Sequence, residues 1–244
     1  MNAMKKPSSL PCIAIACGTA AFGLRKCLYA FAVDQRGLLI SGHPLTLALW
    51  AVVILTSAFL LWNVRKMDGS NVYEDNFAPS PLAALGHGIL AARLVATVLS
   101  GTIAAGTVAM LWKVLGFLSV PAAIWAGISR AKGEKPFFGT HAVLCLFLLV
   151  HMVSRYQVWS GDPQLQNYIF QLLACVALTL FSYYCAAFEA DMGSRRMQLA
   201  TGVLAVLLCT VALSGSEYRS LYLCGLIWAA TNLCAAEVKP HEAA

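Results

Sequence analysis

The sequence predicts an all-α bundle of about eight membrane-crossing helices, and three observations carry that expectation. The chain is 59% hydrophobic and 11% charged, where a soluble domain averages about 25% charged. Apolar stretches of the length a bilayer requires, about 20 residues each, recur along its 244 residues. Its Lys and Arg residues gather in alternate connections between those stretches, as orientation in a membrane demands. The net charge of +6 is then loop charge that orients helices. No stretch is basic and soluble enough to form a DNA- or RNA-binding face, so no nucleic-acid partner is expected.

In order, the predicted spans are Leu10–Val33, Pro44–Trp62, Leu82–Gly101, Gly106–Ile128, Phe137–Ser154, Leu165–Phe188, Met197–Leu213 and Tyr218–Ala236. The first is interrupted by Arg25 and Lys26; if it stopped at Leu24 it would be too short to cross, which gives a seven-helix alternative. Lys5 and Lys6 before it resemble a signal peptide, but no small-residue cleavage site follows, so it is expected to stay as the first helix. With the N-terminus inside, the inner segments hold Lys5, Lys6, Arg65, Lys66, Arg130, Lys132, Lys135, Arg195, Arg196 and Lys239, against Arg36, Arg155 and Arg219 outside. That bias puts both termini in the cytoplasm. Residues 1–244 form one transmembrane domain, with no repeat, low-complexity tract or appended soluble unit. In the outer connection Arg155–Gln164, Asp162-Pro163 marks a turn, and Tyr156 with Trp159 suggests an interfacial aromatic belt. Glu189, Asp191, Arg195 and Arg196 suggest an ion-paired turn at the inner surface.

Charges inside the spans point to chemistry, because a charged side chain at the centre of a membrane helix costs about 2.5–3.5 kcal/mol on insertion scales. At about 1.5 Å per residue, Arg25 and Arg93 lie about 12 Å below the outer boundary, Lys113 about 10 Å and His151 about 6 Å. Small residues share the faces of these cations: Gly18 and Ala21 with Arg25, Gly86, Ala96 and Thr97 with Arg93, Ala109 and Gly116 with Lys113. Small residues mark packed helix faces in membranes, so these cations are expected to point inward. Lys26 occupies a neighbouring face, and His151 and Arg155 line the outer approach. The acids lie in loops, at the rims or at the inner end of the sixth span. A basic level without a buried acid seeks an anion, such as a carboxylate, a phosphate-bearing small molecule or a lipid headgroup. Snorkelling toward headgroups is the structural alternative.

His87 and His141 lie at one inner-leaflet level and could ligate a b-type haem, with Gly86 and Gly88 leaving room for the ring. Hydrogen-bonded helix contact is the plainer reading of the pair, and no cofactor is expected. The nine cysteines all sit in apolar segments without a C-x-x-C pair, as small hydrophobes rather than disulfide or metal partners. No G-x-S-x-G, H-E-x-x-H, phosphate-loop or Asp-rich metal motif is present, which argues against an enzyme.

The run Phe137 to Arg196, with Ser154-Arg155-Tyr156-Gln157 and Trp159-Ser160-Gly161-Asp162-Pro163-Gln164-Leu165-Gln166, resembles uncharacterised multispanning membrane proteins of anaerobic low-GC Gram-positive bacteria. The resemblance implies a bacterial plasma membrane and no particular activity. The sequence therefore leaves three readings. One is an integral membrane protein that binds or transports an anion through Arg25, Lys26, Arg93, Lys113, His151 and Arg155. The others are an accessory subunit whose cations meet acids on a membrane protein partner, and a haem redox protein.

Overall fold

The structure is a computed structural model; it describes residues 9–32, 39–40, 42–67, 71–100, 107–161, 168–215 and 218–236. Its helices are α1 (Ser9–Phe31), α2 (Pro44–Val64), α3 (Tyr73–Asn76), α4 (Pro81–Ser100), α5 (Thr107–Lys132), α6 (Thr140–Trp159), α7 (Ile169–Glu189), α8 (Arg195–Ala212) and α9 (Arg219–Cys234). Among the described residues seven of them, α1, α2 and α4 to α8, are long and apolar enough to cross a membrane. The fold is a multi-pass helical membrane bundle. The count of seven matches the sequence's alternative, but not through α1, which runs unbroken through Arg25 and Lys26. The short helix is instead α9, whose 16 residues span about 24 Å. It still runs from the end holding Tyr218 and Arg155 to the end holding Trp228, His87 and His141. We call the first end outer and the second inner, following the Lys and Arg bias.

Helices α4, α5, α6, α7, α8 and α9 pack successively, and α9 closes back on α4. The α1–α2 hairpin lies against α8. α8 is the most enclosed helix, with 78% of its apolar window buried. It packs on α1, α2, α7 and α9 at once, which is why its run from Val203 to Ala212 has no polar face to offer lipid. Small residues set the close crossings. A Cβ on Gly18 would lie 2.8 Å from Thr210 Cβ, and one on Gly202 2.9 Å from Leu233 Cδ2. The exposed side chains of α2 and α5 are the apolar ones a lipid-facing surface requires, Leu55, Phe59, Phe117 and Trp125 among them.

Three boundaries differ from the sequence expectation for local reasons. α6 begins at Thr140, because Gly139 takes a left-handed φ of 90° and Phe137 lies in the turn before it. α6 continues to Trp159, so Arg155 and Tyr156 are helical rather than in a loop. Trp159 is buried and stacks on Tyr168 at 4.7 Å; of the expected aromatic belt only Tyr156 is exposed. The inner connection 71–80 carries the short helix α3, which the sequence reading missed. Its Tyr73, with Phe77, packs onto Phe188 at the end of α7. Asp162 and Pro163 lie outside the described residues.

Candidate functional site

Buried polar groups collect in two layers, one toward each end of the bundle. In the outer layer Arg25 is buried on α1 and reaches across to α7 and α8. It donates to Gln171 Oε1 at 3.1 Å, to Tyr29 Oη at 3.0 Å and to the Val211 carbonyl at 3.4 Å. Its guanidinium also covers the Phe170 ring at 5.0 Å. The expectation that Gly18 and Ala21 turn Arg25 inward is met, since both are buried on that face.

Arg93 on α4 and His151 and Arg155 on α6 form the rest of the layer, Arg155 and Arg25 both lying within electrostatic reach of Tyr222 on α9. His151 is fully buried and accepts a hydrogen bond from Trp112 Nε1 at 3.0 Å. Arg93 and Arg155 both lie within electrostatic reach of its ring. Arg155 donates to Tyr218 Oη and lies 4.6 Å over that ring. Tyr218 itself holds a left-handed φ of 54° at the head of α9, a conformation uncommon for a bulky residue. His151 Nε2, Arg93 Nε and Arg155 Nε are buried atoms without a hydrogen-bond partner. Such groups are costly to leave unmade in a low-dielectric interior. Among the described residues the only carboxylates in ion pairs, Asp191 and Glu189, belong to the inner end.

Lys113 is not brought to this layer. It is exposed and lines an open groove with Val98, Leu99, Val114, Phe117 and Leu118. The buried seam of α5 runs Ala109, Trp112, Gly116, Ser119, Ala123, spaced by threes and fours. Trp112 takes the central place on that seam, and Lys113, one residue on, is turned about 100° away by the helical repeat. Lys26 is also exposed, but it opens into a cavity of about 310 Å³ lined by Tyr29, Tyr168, Gln171, Ser214, Gly215 and Arg219. Arg219, which the sequence reading left as an orienting charge, therefore joins Lys26 at the mouth. Gln171 forms part of the wall and holds Arg25 behind it.

The inner layer is a chain of hydrogen bonds. His87 Nδ1 meets the Ala83 carbonyl at 2.8 Å, the two Nε2 atoms of His87 and His141 meet at 3.2 Å, and His141 Nδ1 meets Glu189 Oε1 at 2.6 Å. The His141 backbone N–H also donates to Glu189, and Ser182 Oγ donates to the His141 carbonyl at 2.9 Å. Trp228 stacks on His141. The sequence placed the two histidines at one level correctly. It misplaced Glu189: the inner turn pairs Asp191 with Lys135 at 2.6 Å and Arg195 with Asn76 at 2.7 Å, while Glu189 is buried under α6. Haem does not fit these residues as arranged. The nitrogens that an iron would take are spent on each other, and the remaining ones on Ala83 and Glu189. Among the described residues no group of three or more His, Cys, Asp or Glu is placed to hold a metal ion.

These layers define a polytopic helical membrane protein with a basic outer level and a buried histidine–carboxylate chain below it. Comparison with protein-family models, curated proteins and solved structures finds no match to this chain.

Proposed function

We propose that the protein binds an anionic group in the outer half of its bundle, the carboxylate or phosphate of a small molecule or lipid headgroup. The observation that supports this reading is the set of buried, unpartnered nitrogens on Arg93, Arg155 and His151. A separate cavity lined by Lys26 and Arg219 adds positive charge at the same end of the bundle. Arg25, fixed by Gln171, adds a charge behind the wall without having to move. Arg25, Lys26, Arg93, His151 and Arg155 stay in the set the sequence suggested, with His151 and Arg155 moved from the approach into the binding layer and Arg25 set behind a wall; Arg219 is added, and Lys113 is left to the lipid-facing groove. The resemblance of the 137–196 run supports a bacterial plasma membrane as the location.

The test uses protein in nanodiscs, titrated with inorganic phosphate, succinate and phosphatidylglycerol, and read by native mass spectrometry. Saturable binding of one probe in the wild type should weaken about 10- to 100-fold in Arg93→Ala, the worth of one hydrogen bond to a charged group, and stay unchanged in Lys113→Ala. Phosphatidylglycerol alone would mark a lipid headgroup; phosphate or succinate would mark a soluble anion. Saturation by none of the three, or equal affinity in Arg93→Ala, overturns the reading.

A further inference from the structure

The contacts of the inner chain fix its proton count. Each of the three hydrogen bonds that link Ala83, His87, His141 and Glu189 needs one hydrogen between its two heavy atoms. A carbonyl oxygen only accepts, so His87 Nδ1 carries a hydrogen. If His87 is neutral its Nε2 is bare, and the hydrogen of the Nε2–Nε2 contact belongs to His141. A third hydrogen lies between His141 Nδ1 and Glu189. Two neutral imidazoles supply two hydrogens and a carboxylate supplies none. The geometry therefore requires one proton more than two neutral rings and an ionised carboxylate hold.

The same three hydrogens describe an imidazolium at His141, an imidazolium at His87, or a carboxylic acid at Glu189. These states differ only in which end of a hydrogen bond each hydrogen occupies. Remove the extra proton and one of the three bonds must fail. Two lone pairs face each other at Nε2, or His87 changes tautomer and turns a bare Nδ1 to the Ala83 carbonyl, or His141 turns a bare Nδ1 to the Glu189 carboxylate.

We propose that His87, His141 and Glu189 jointly bind one exchangeable proton and transfer it between Glu189, at the inner end of α7, and His87, in the interior of the bundle. The Glu189 side chain is fully buried, so exchange with water at that end needs a local opening of the cover over it. Uptake on Glu189 gives a neutral carboxyl beside two neutral rings; passing its hydrogen to His141 Nδ1 restores the carboxylate and makes His141 the imidazolium, and a shift of the Nε2 hydrogen moves that charge to His87; release reverses the steps. Arg130 on α5 is the fixed charge acting on His87, and Tyr73 on α3 and Cys185 on α7 are the titratable neighbours of Glu189. From α9 the chain is faced by the uncharged Trp228. The proposal does not rest on anion binding in the outer layer.

Histidine-selective ¹⁵N NMR of the protein in lipid bilayers tests it, with His87→Gln and His141→Gln assigning the two rings. Between pH 5 and 9 the two rings and the Glu189 carboxyl together should gain or lose one proton, seen as imidazolium in the ¹⁵N spectrum or as carboxylic acid in the ¹³C spectrum. Glu189→Gln should leave two neutral rings, because an amide nitrogen can donate to His141 Nδ1 and close the chain without the extra proton. Two neutral rings beside an ionised Glu189 carboxylate at every pH in the wild type, the carboxyl being read by ¹³C NMR of labelled glutamate, charges on rings and carboxyl that are invariant from pH 5 to 9, or an imidazolium that persists in Glu189→Gln would each overturn it. The wild-type titration decides the matter even where the variant fails to fold.

Discussion

Replacing Glu189 with Ala removes the acceptor on which the inner layer closes. The carboxylate is fully enclosed and takes both His141 Nδ1 at 2.6 Å and the His141 backbone N–H at 3.2 Å. Without it both donors stay buried with no partner. Each costs about 1–3 kcal/mol, together about 2–6, which brackets the roughly 3–5 kcal/mol measured when one member of a buried ion pair is deleted. Replacing Glu189 with Gln keeps a carbonyl oxygen for the backbone N–H and an amide nitrogen for the ring. It loses only the charge assistance, about 1–2 kcal/mol. Far-ultraviolet circular dichroism across an SDS titration in mixed micelles should thus rank wild type above Glu189→Gln above Glu189→Ala, with the alanine variant about 10²- to 10³-fold less stable. If Glu189→Ala unfolds within about 1 kcal/mol of the wild type, or the glutamine variant is as weak as the alanine one, the carboxylate does not close the network.

Two further outcomes follow from packing and from a phenol outside the membrane. A Cβ at Gly86 would collide with Thr231 Oγ1 and lie 3.3 Å from Trp228 Cα, so Gly86→Val should separate α4 from α9 and cost about 1–3 kcal/mol. At Gly23 an added Cβ meets nothing within 4 Å, so Gly23→Ala should gain a few tenths to about 1 kcal/mol of helix stability; equal effects in the same SDS titration would discount the α4–α9 contact. Tyr73, on α3, has its ionisation pushed up to about 12 by burial, against a smaller opposing pull from Arg130. The native state keeps this proton where the unfolded chain, near pH 10, releases it. Its contribution is full below pH 10 and is lost as pH rises to 12, about 3 kcal/mol over the two units. Tyr73→Phe should flatten that part of the alkaline unfolding profile, and parallel profiles for the two proteins would refute the assignment.

The spans were legible because length and apolarity decide which segments the bilayer accepts, and those quantities are local. Facing was legible where small residues alone set the seam, as with Gly18 and Ala21 beside Arg25. It failed at Lys113, where Ala109 and Gly116 gave the right seam but the large apolar Trp112 competed for its centre, and a buried indole outweighs a charged amine. Glu189 was misread for a different reason. It is the last residue of α7, and near a helix end one residue separates a buried face from the surface turn; only the partner, His141 on α6, decides which. Nothing in four residues of α3 announces a helix, because its stability comes from Tyr73 and Phe77 packing on Phe188 rather than from its own propensity. Arg219, the first residue of α9, was legible only as an orienting charge, because its place on the cavity depends on walls that α1 and α7 supply.

One helix ties the two layers together and also insulates them. α6 carries His141 near its inner end and His151 and Arg155 near its outer end, ten residues or about 15 Å apart. Between them its buried side chains are Leu144, Phe147 and Leu148, and Phe181 and Trp228 approach from α7 and α9. Within this band Cys145 Sγ donates to the Thr179 carbonyl at 3.5 Å and Cys175 Sγ meets Tyr222 Oη at 3.7 Å, contacts that touch neither His141 nor His151. Direct electrostatic coupling across about 15 Å is worth about 1 kcal/mol at an effective dielectric of about 20. A stronger influence of anion binding on proton binding would travel as a movement of α6 or of α9, which holds Tyr218 against Arg155 and Trp228 against His141. Gly86 lies where α4 meets α9 at Trp228 and Thr231, so the contact that the Gly86→Val substitution loosens is also the one through which such a movement would pass.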